Sequence, residues 1–447
     1  MEAETKRRYE IGKIHRKKAH HRCYAVETAS SLKSSAQESP SSSQFRTESW
    51  SVIPGCLAEN IDFVSSNGAK VIDLRSPVEY EEDHLPGAIN VPLLDNDERA
   101  IVGTLYKQIS PDDALEKGLE FVEKRISELV ESIRGVADRS PSTESTIVGE
   151  QTLSSVFSEV ATQLHSVRLE VQENDSIPKS VGALLRRLGW ERIWVIKGGY
   201  KAIRKSVRDT LASNESIARC SLLPVFCHFL LFNGSLLPSR VYVLSGMTGV
   251  GKTRILNRIE AMQGDSTIDL EGIAGHRSSL LGHVGLQPTS QKAFESELLC
   301  RLHNGFPNGY AVVESESRKV GNSIIPPAVW ENLINATRID LVAPMEVRVT
   351  RLCEEYLRDD IHRQELEKAL PHLERVMRGS NKDAFVNMLR QGRERELTRL
   401  LIEQWYDLRY RDRGLGAIAQ IDTTDEDMCA KECLKAIEQD AKSSSTL

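Results

Sequence analysis

The stretch Leu244–Thr253, LSGMTGVGKT, constrains this chain more than any other. It contains the pattern G-x-x-x-x-G-K-[ST], whose glycines turn the backbone tightly so that successive N–H groups face an anion. A helix that begins directly after such a loop adds its positive N-terminal dipole. The lysine meets a terminal phosphate, and the hydroxyl can hold Mg²⁺. The predicted phosphate-binding residues are Gly246, Gly249, Gly251, Lys252 and Thr253.

The flanking sequence supplies the context that this loop needs. RVYVLSG reads as a buried strand before the loop, and RILNRIEAM reads as a helix after it. A further buried strand, YAVVES, is followed by carboxylates, and the strand end is where a metal-orienting acid is expected. We therefore predict Glu314 and Glu316 as site residues, with Thr253 and Glu314 as ligands of Mg²⁺. The alternative is that both glutamates are solvated surface residues.

The segment STIDLEGIAGHRSSLLG follows the first loop-and-helix unit and carries several charges. Asp269 and Glu271 come at the end of a short predicted strand, and His276 and Arg277 follow them. This is where phosphate-loop enzymes place the site for a second substrate, so these four residues are candidates for it. The alternative is that His276 and Arg277 are a structural pair.

Bulk composition excludes some classes of protein but does not identify the function. The chain has 447 residues, a formal net charge of -6 and 8 cysteines, so it is long enough for two or three domains. The cysteines form no C-x-x-C pair, which favours free thiols in a reducing compartment. No run is apolar enough for a membrane span, and we expect a cytoplasmic location. The basic, Ser-rich N-terminal region leaves an organelle address open.

The N-terminal half carries a second signal, VIDLRSPVEYEEDHLPGAINVPL. Asp73 and Arg75 end a predicted strand, and His84 lies before a second strand. This D-x-R and H-x-P-G-A arrangement resembles the rhodanese domain, and the resemblance implies that Asp73, Arg75 and His84 shape that fold. Strands alternate with helices such as DDALEKGLEFVEKRISELVESI, which favours a parallel sheet.

The combination of both signals is more specific. ERAIVGTLYKQ follows the rhodanese signature, while EGIAGHRSS, QPTSQKAFE and VVESESRKVGNSIIP follow the phosphate loop. A rhodanese domain joined to a phosphate-loop domain with these strings resembles tRNA 2-selenouridine synthase. The resemblance implies replacement of sulfur by selenium in a 2-thiouridine at the tRNA wobble position, by way of a geranylated intermediate. It also implies selenophosphate and geranyl diphosphate as co-substrates, tRNA as partner, and no tightly bound cofactor.

The predicted fold class is α/β, with an N-terminal rhodanese-like parallel-sheet domain and a C-terminal P-loop NTPase-like domain that ends in a helical extension. We expect a disordered tail over residues 1–50, because its Ser-rich sequence has little to bury. The rhodanese-like domain is predicted over 51–212, a linker or insertion over 213–239, and the P-loop domain over 240–447. The sequence does not indicate an oligomeric state.

One part of the family pattern is absent. The resemblance calls for a loop like C-x-R-G-G-x-R-S before VGALLRRLGWERIWVIKGGYKAIRKSV, yet no cysteine occurs between Cys56 and Cys220. Residues 136–180 therefore look atypical. Three interpretations stay open: a divergent gene model or splice form, a homologue that has lost selenium transfer, or another cysteine as substitute.

The acidic total charge requires any RNA-binding surface to be local. The arginine-rich region 375–413 is the candidate, with the predicted RNA-contacting residues Arg378, Lys382, Arg390, Arg393, Arg395 and Arg399. The interspersed glutamates leave open a solvated helix with ion pairs between neighbouring turns. For the whole chain, the alternatives are a small-molecule kinase or NTPase and a catalytically inactive tRNA-binding homologue.

Overall fold

A computed structural model describes residues 52–53, 69–137, 176–188, 190, 193–196, 198–212, 237–378, 383–410 and 416–444. The chain divides into an N-terminal unit, Met1–Ser206, and a C-terminal unit, Val207–Leu447. The division falls inside the helix Gly199–Ala212, a few residues before the predicted end of the first domain. The predicted tail over 1–50 and linker over 213–239 lie almost entirely outside the described residues, so both stay predictions.

The N-terminal unit contains short strands joined by helices. Its strands are β1 (Val52–Ile53), β2 (Ile72–Asp73), β3 (Ile89–Asn90) and β4 (Val195–Ile196). Its helices are α1 (Pro77–Glu82), α2 (Asn96–Gln108), α3 (Pro111–Ala137), α4 (Ser176–Arg187) and α5 (Gly199–Ala212). β1 pairs with β4, and β2 pairs with β3, both in parallel. The predicted strands around residues 72 and 195 and their parallel direction are confirmed.

Helix α3 forms the centre of the N-terminal core. Its sequence places apolar residues three or four positions apart, which gives one continuous apolar face. That face buries Val122, Ile126, Leu129 and Ile133, which pack in one cluster with Leu184 of α4. The predicted helix over this segment is confirmed.

The C-terminal unit is built on a five-stranded sheet. Its strands are β5 (Arg240–Ser245), β6 (Thr267–Ile268), β7 (Tyr310–Glu314), β10 (Thr337–Val342) and β11 (Ala417–Asp422). They lie in the order β11-β10-β5-β7-β6, and every neighbouring pair is parallel. A parallel sheet covered on both faces needs near-continuous apolar strands, and β5 satisfies this because Val241–Ser245 is buried.

Helices and one hairpin complete this unit. The helices of the sheet layer are α6 (Lys252–Gln263), α7 (Leu270–Ala274), α8 (Gln291–His303), α9 (Pro327–Ile334), α10 (Met345–Tyr356) and α15 (Glu426–Ser444). The short hairpin consists of β8 (Lys319–Val320) and β9 (Ser323–Ile324). The core beneath α6 and α15 joins Leu256 and Ile259 of α6 to Tyr242 of β5 and Cys433 of α15.

A helical layer follows α10 and has its own core. It comprises α11 (Asp360–Arg378), α12 (Ala384–Arg390), α13 (Glu394–Leu401), a π-helical turn (Ile402–Tyr406) and α14 (Asp407–Arg409). Leucines of these helices pack with Phe385 and with Leu281 from the loop after α7. The α/β class, the second parallel sheet and the helical extension are all confirmed. Within the described ranges, no helix is both long and apolar enough to cross a membrane.

Candidate phosphate-binding site

The predicted phosphate loop lies at the carboxyl end of β5, the central strand of the five-stranded sheet. In open parallel sheets, ligands bind outside the carboxyl ends of the strands. α6 begins at Lys252, directly after the loop, so the strand, loop and helix follow one another as the sequence predicts.

Two glycines of the loop have no substitute. Gly249 has φ 83° and Gly251 has φ 89°, a left-handed conformation that side chains with a Cβ rarely adopt. Space is also restricted, because a Cβ on Gly249 would lie 3.2 Å from the carbonyl oxygen of Arg348 and one on Gly251 would lie 3.1 Å from Nη1 of Arg351. The loop therefore needs glycine both for its backbone angles and for its contact with α10.

The two polar residues at the start of α6 point to different partners. Lys252 folds back over the loop, where its Nζ donates to the carbonyl oxygen of Gly246 at 3.3 Å. The hydroxyl of Thr253 donates to Oε2 of Glu314 at 2.9 Å, and Oε2 of Glu271 is 3.5 Å away. The sequence prediction that Thr253 and Glu314 share one site thus corresponds to a direct contact.

Four carboxylates converge beside this contact. Glu314 ends β7 and accepts a hydrogen bond from the backbone N–H of Glu271 at 2.9 Å. Asp269 caps α7 by accepting from the backbone N–H of Gly272 at 2.8 Å. The carboxylate oxygens of Glu271, Glu314 and Glu316 lie within 4.8 Å of one another. Glu314 is 1% exposed, which rules out the alternative of a solvated surface glutamate at that position.

Burial and mutual repulsion shift the titration of this cluster. Burial, strengthened by the charges of Asp269, Glu271 and Glu316, raises the pKa of Glu314 well above its ordinary value. Burial and the neighbouring Glu316 carboxylate raise the pKa of Glu271 to about 8, although Lys252 opposes the shift. A cation bound between these carboxylates would reduce both the cost of burying their charge and their mutual repulsion.

This donor set fits a hard divalent cation. Mg²⁺ prefers oxygen ligands and is commonly held by one or two carboxylates together with substrate phosphate oxygens. Glu271, Glu314 and Glu316 supply carboxylates, and Thr253 supplies the hydroxyl that phosphate loops offer to the metal. Among the described residues, Glu271, Glu314 and Glu316 are the acidic, cysteine or histidine side chains that lie close enough together to hold a metal ion.

Two arginines of α10 brace the loop from behind, and sequence reasoning missed both. Arg348 donates to the carbonyl oxygen of Thr248 at 2.8 Å and forms an ion pair with Asp407 at 2.5 Å. Arg351 donates to the carbonyl oxygen of Val250 at 2.8 Å and also contacts Thr423. Their spacing of three residues, which places them on one face of α10, was the only signal in the sequence.

A small apolar cavity of about 50 Å³ adjoins the loop. Thr248 of the phosphate loop is part of its wall, beside Leu352 and Tyr356 of α10. Leucines supply most of the remaining wall: Leu281, Leu357, Leu366, Leu370, Leu389, Leu397 and Leu401. This volume is well below the roughly 300 to 1,000 Å³ of small-molecule sites, so a ligand enters only if the surrounding helices move apart, but the lining suits a hydrocarbon rather than a polar group.

The His-Arg pair of the loop after α7 has a different environment from the carboxylates. Arg277 forms an ion pair with Glu355, donates to the carbonyl oxygen of Val284 at 2.7 Å and lies over the ring of Tyr356. These contacts tie the loop to α10, which favours the structural alternative for Arg277. The Nδ1 of His276 is buried without a hydrogen-bond partner, and burial lowers the pKa of this imidazole.

The predicted RNA-contacting arginines are exposed, but each described one has an acidic partner. Arg390 pairs with Glu367, and Arg393 pairs with Glu396 at 2.5 Å. Arg395 and Arg399 both pair with Glu346. The side chain of Arg378 and all of Lys382 lie outside the described residues. Local neutralisation reduces the positive potential of this face, although its role in RNA binding is untested.

The rhodanese signature residues lie in one polar network of the N-terminal unit. Arg75 forms an ion pair with Asp73 at 2.5 Å, donates to the carbonyl oxygen of Asp83 at 2.6 Å and stacks on the ring of Tyr200. His84 stacks on Tyr80 and its Nδ1 lies 2.8 Å from the Tyr80 carbonyl oxygen. Most of the atypical segment 136–180 lies outside the described residues, so the missing cysteine loop stays a matter of sequence.

Comparisons with known proteins match both units. A family model described as the tRNA 2-selenouridine synthase AAA domain matches residues 239–439, and a model of the rhodanese-like domain matches residues 57–126. A tRNA 2-selenouridine synthase of Pseudomonas syringae pv. syringae (strain B728a) is 29% identical over 298 residues, covering 65% of this chain and 66% of that protein. The enzyme of the same name from Cronobacter sakazakii (strain ATCC BAA-894) is 29% identical, covering 65% of each chain.

The chain thus spans 65 to 66% of the length of these curated relatives. A crystal structure of an uncharacterized protein from Eubacterium ventriosum ATCC 27560 covers 45% of this chain and 98% of its own, at 11% identity and a TM-score of 0.23. That similarity is too weak to support a conclusion about fold.

The fold and the site define a two-domain protein, with a rhodanese-like unit followed by a P-loop unit of the AAA-type class. Its phosphate loop, acidic cluster and rhodanese signature are carried by the segments that these models match. In both units the chain is similar to tRNA 2-selenouridine synthases.

Proposed function

We propose that this protein is an enzyme that modifies the wobble uridine of tRNA, replacing the sulfur of 2-thiouridine by selenium through a geranylated intermediate. The relatives are named tRNA 2-selenouridine synthases, which supports tRNA as the substrate. In this proposal the P-loop unit performs the geranyl step with geranyl diphosphate, and selenophosphate supplies the selenium for the later step. We keep the cytoplasm as its location, with an organelle as the alternative.

The observation that carries the geranyl step is the apolar cavity beside the phosphate loop. Thr248 belongs to both features, since it lies within the loop and forms part of the cavity wall. In this proposal a ligand with a diphosphate at one end and a hydrocarbon chain at the other binds the loop, and its chain enters the cavity of about 50 Å³ once the leucines of the wall have moved apart. A nucleotide has a sugar and a polar base in place of the chain, and an apolar lining would leave their hydrogen-bonding groups unpaired.

The chemistry of this step suits the loop. The thiouridine sulfur attacks the first carbon of the geranyl chain, a carbon–sulfur bond forms, and the carbon–oxygen bond to diphosphate breaks. The departing diphosphate takes the bonding electrons and gains negative charge. Lys252, the loop N–H groups and the N-terminus of α6 stabilise that charge. Mg²⁺ held by Thr253, Glu314 and the neighbouring carboxylates would add further positive charge at the same place.

Selenium transfer is the part of the proposal that the sequence supports least. The family pattern places a cysteine in the rhodanese unit, and none occurs between Cys56 and Cys220. We therefore separate the two steps. In this proposal the geranyl step depends on the P-loop unit, whose phosphate loop and acidic cluster support it, whereas selenium incorporation is expected to be weak or absent in this chain.

The test is to incubate the purified full chain with thiolated tRNA and geranyl diphosphate and to analyse the nucleosides by mass spectrometry. The expected product is the S-geranylated nucleoside. Calorimetry with geranyl diphosphate and with ATP, each with Mg²⁺, addresses the kinase or NTPase alternative. Preferential binding of ATP with rapid hydrolysis would overturn the proposal, and binding of tRNA without any product would favour the inactive homologue.

A further inference from the structure

The segment after the π-helical turn lies beside the phosphate loop, on the side that Arg348 braces. Asp407 and the carbonyl oxygen of Thr248 both bond to the single guanidinium of Arg348, at 2.5 and 2.8 Å. The same guanidinium lies 3.6 Å from Sδ of Met247. Because both bond to the same planar guanidinium, the Asp407 carboxylate and the Thr248 carbonyl oxygen are within about 7 Å of each other. The residues that follow Asp407 therefore lie close to the phosphate loop, on the side that Arg348 braces.

This side of the loop exposes apolar side chains that the core does not use. Leu408 is 75% exposed, Met247 is 41% exposed and Tyr410 is 37% exposed. The π-helical turn over Ile402–Tyr406 interrupts the α-helical repeat immediately before them, and single π-turns often occur at functional sites. An exposed apolar surface beside a phosphate site is unfavourable in water unless a ligand covers it.

Arg409 distinguishes this surface from the rest of the arginine-rich region. Its guanidinium stacks on Trp405 at 3.2 Å from the ring centroid, and it donates to the Trp405 carbonyl oxygen at 3.2 Å. Within the described part of the chain it forms no ion pair with an acidic side chain, in contrast to Arg390, Arg393 and Arg399. A guanidinium fixed on one face by an indole presents its other face and its positive charge to solvent.

We propose that Leu408, Arg409 and Tyr410 form a docking surface for an unpaired nucleobase of the RNA substrate. Unstacked bases of RNA loops are bound by stacking on aromatic rings and on arginine planes. The surface offers a tyrosine, an apolar residue and a preordered guanidinium, and its net positive charge complements RNA. This inference rests on the proposed function, because it takes tRNA to be the substrate, and it places the base near the phosphate loop on the side that Arg348 braces.

The experiment measures binding of a fluorescent anticodon stem-loop that carries 2-thiouridine at the wobble position. Wild type is compared with Arg409→Ala, Arg409→Lys and Tyr410→Ala, each as the full chain. Arg258→Ala is the matched control, since it removes an exposed but ion-paired arginine of α6. A second stem-loop lacks only the wobble base.

We expect Arg409→Ala and Tyr410→Ala to weaken binding of the intact stem-loop by about tenfold, a typical loss for one stacking contact. Arg409→Lys should weaken binding nearly as much, because lysine keeps the positive charge but lacks the planar guanidinium on which a base stacks. Arg258→Ala should bind as wild type does. Wild type should bind the abasic stem-loop about tenfold more weakly than the intact stem-loop. Arg409→Ala should bind the abasic stem-loop nearly as tightly as wild type binds it, since the base that Arg409 would contact is absent.

Arg409→Ala binding equal to that of wild type would overturn the docking surface. If Arg409→Ala weakened binding of the intact and the abasic stem-loop equally, Arg409 would contact a phosphate and the docking surface would also be overturned. Arg409→Lys binding as tightly as wild type would overturn it as well. Wild-type protein that fails to bind tRNA would instead overturn the proposed function. If Arg409→Ala does not fold, as judged by its melting curve, Arg409→Lys and Tyr410→Ala decide the question.

Discussion

The hydroxyl of Thr253 donates a 2.9 Å hydrogen bond to the buried carboxylate of Glu314, which joins the start of α6 to the end of β7. Glu314 ionises with difficulty here, because burial and the neighbouring carboxylates raise its pKa well above the ordinary value. We expect Mg²⁺ to raise the melting temperature of the protein at pH 8, since a ligand at a hundredfold excess over its Kd adds about 2.7 kcal/mol of stability. Glu314→Gln should lose most of this rise.

The control for the magnesium experiment is Glu331→Gln, which changes an exposed glutamate of α9. It should respond to Mg²⁺ as wild type does. Without the metal, Glu314→Gln should be at least as stable as wild type, because it removes a charge from a buried acidic cluster. An undiminished response to Mg²⁺ in Glu314→Gln would contradict the metal assignment.

Lys252→Ala should reduce geranylation of thiolated tRNA by about a hundredfold or more, because it removes a positive charge from the departing diphosphate. The rate is measured by mass spectrometry of the nucleosides in single-turnover reactions. Arg258→Ala is the control, since Arg258 lies on the same helix but pairs with Glu426 and Asp427. A fully active Lys252→Ala variant would refute the role of the loop.

Leu397→Phe should fill part of the apolar cavity, whose wall includes Leu397. We expect about a tenfold loss of affinity for geranyl diphosphate, because roughly two buried CH₂ groups of the ligand would lose their place. Inorganic diphosphate provides an internal control, since its binding depends on the loop alone. Calorimetry with both ligands separates the effects, and equal losses for both would argue against a hydrocarbon site.

Asp407→Asn should destabilise the C-terminal unit, because the Arg348 guanidinium is 5% exposed and would lose its anionic partner. Losing a hydrogen bond to a charged group costs about 1.5 to 3 kcal/mol. Chemical denaturation monitors the change, with Arg393→Ala as an exposed ion-pair control that should shift stability by less than about 1 kcal/mol. Equal stability of Asp407→Asn and wild type would show that the brace is unimportant.

The N-terminal unit should lose stability as pH falls. Burial lowers the pKa of His84 below its ordinary 6.5. The unfolded chain therefore binds a proton more readily than the folded one, and the contribution is present above about pH 6.5 and lost as pH falls through the folded pKa. His84→Gln should flatten the stability profile between pH 5 and 7 in circular-dichroism melts. A profile of unchanged slope would assign the dependence to other groups.

Local patterns in the sequence predicted the parts of the site that depend on local structure. The glycine spacing and the run RVYVLS were enough to place the loop after a strand and before α6. Glu271 and Glu314 were each predicted as site residues, but not their contact, which arises because carboxyl ends of parallel strands meet at one edge of the sheet.

Contacts between distant segments could not be predicted in this way. Arg348 reaches the carbonyl oxygen of Thr248 across 100 residues of chain, and only the pairing of β10 with β5 brings α10 behind the loop. The glutamate partners of Arg390 and Arg395 lie on helices whose packing angles the sequence does not reveal. The apolar cavity depends on the same packing, so its leucines looked like ordinary core residues.

The brace formed by Arg348 and Arg351 has a consequence for the rate of ligand capture. These guanidiniums bond the outward carbonyls of Thr248 and Val250, so the amide hydrogens of the loop face the opposite way before any anion arrives. A receptor that is already in its binding shape spends little free energy on rearrangement. Association with a diphosphate should therefore be fast and weakly dependent on temperature, and slow dissociation of the hydrocarbon end should set the residence time.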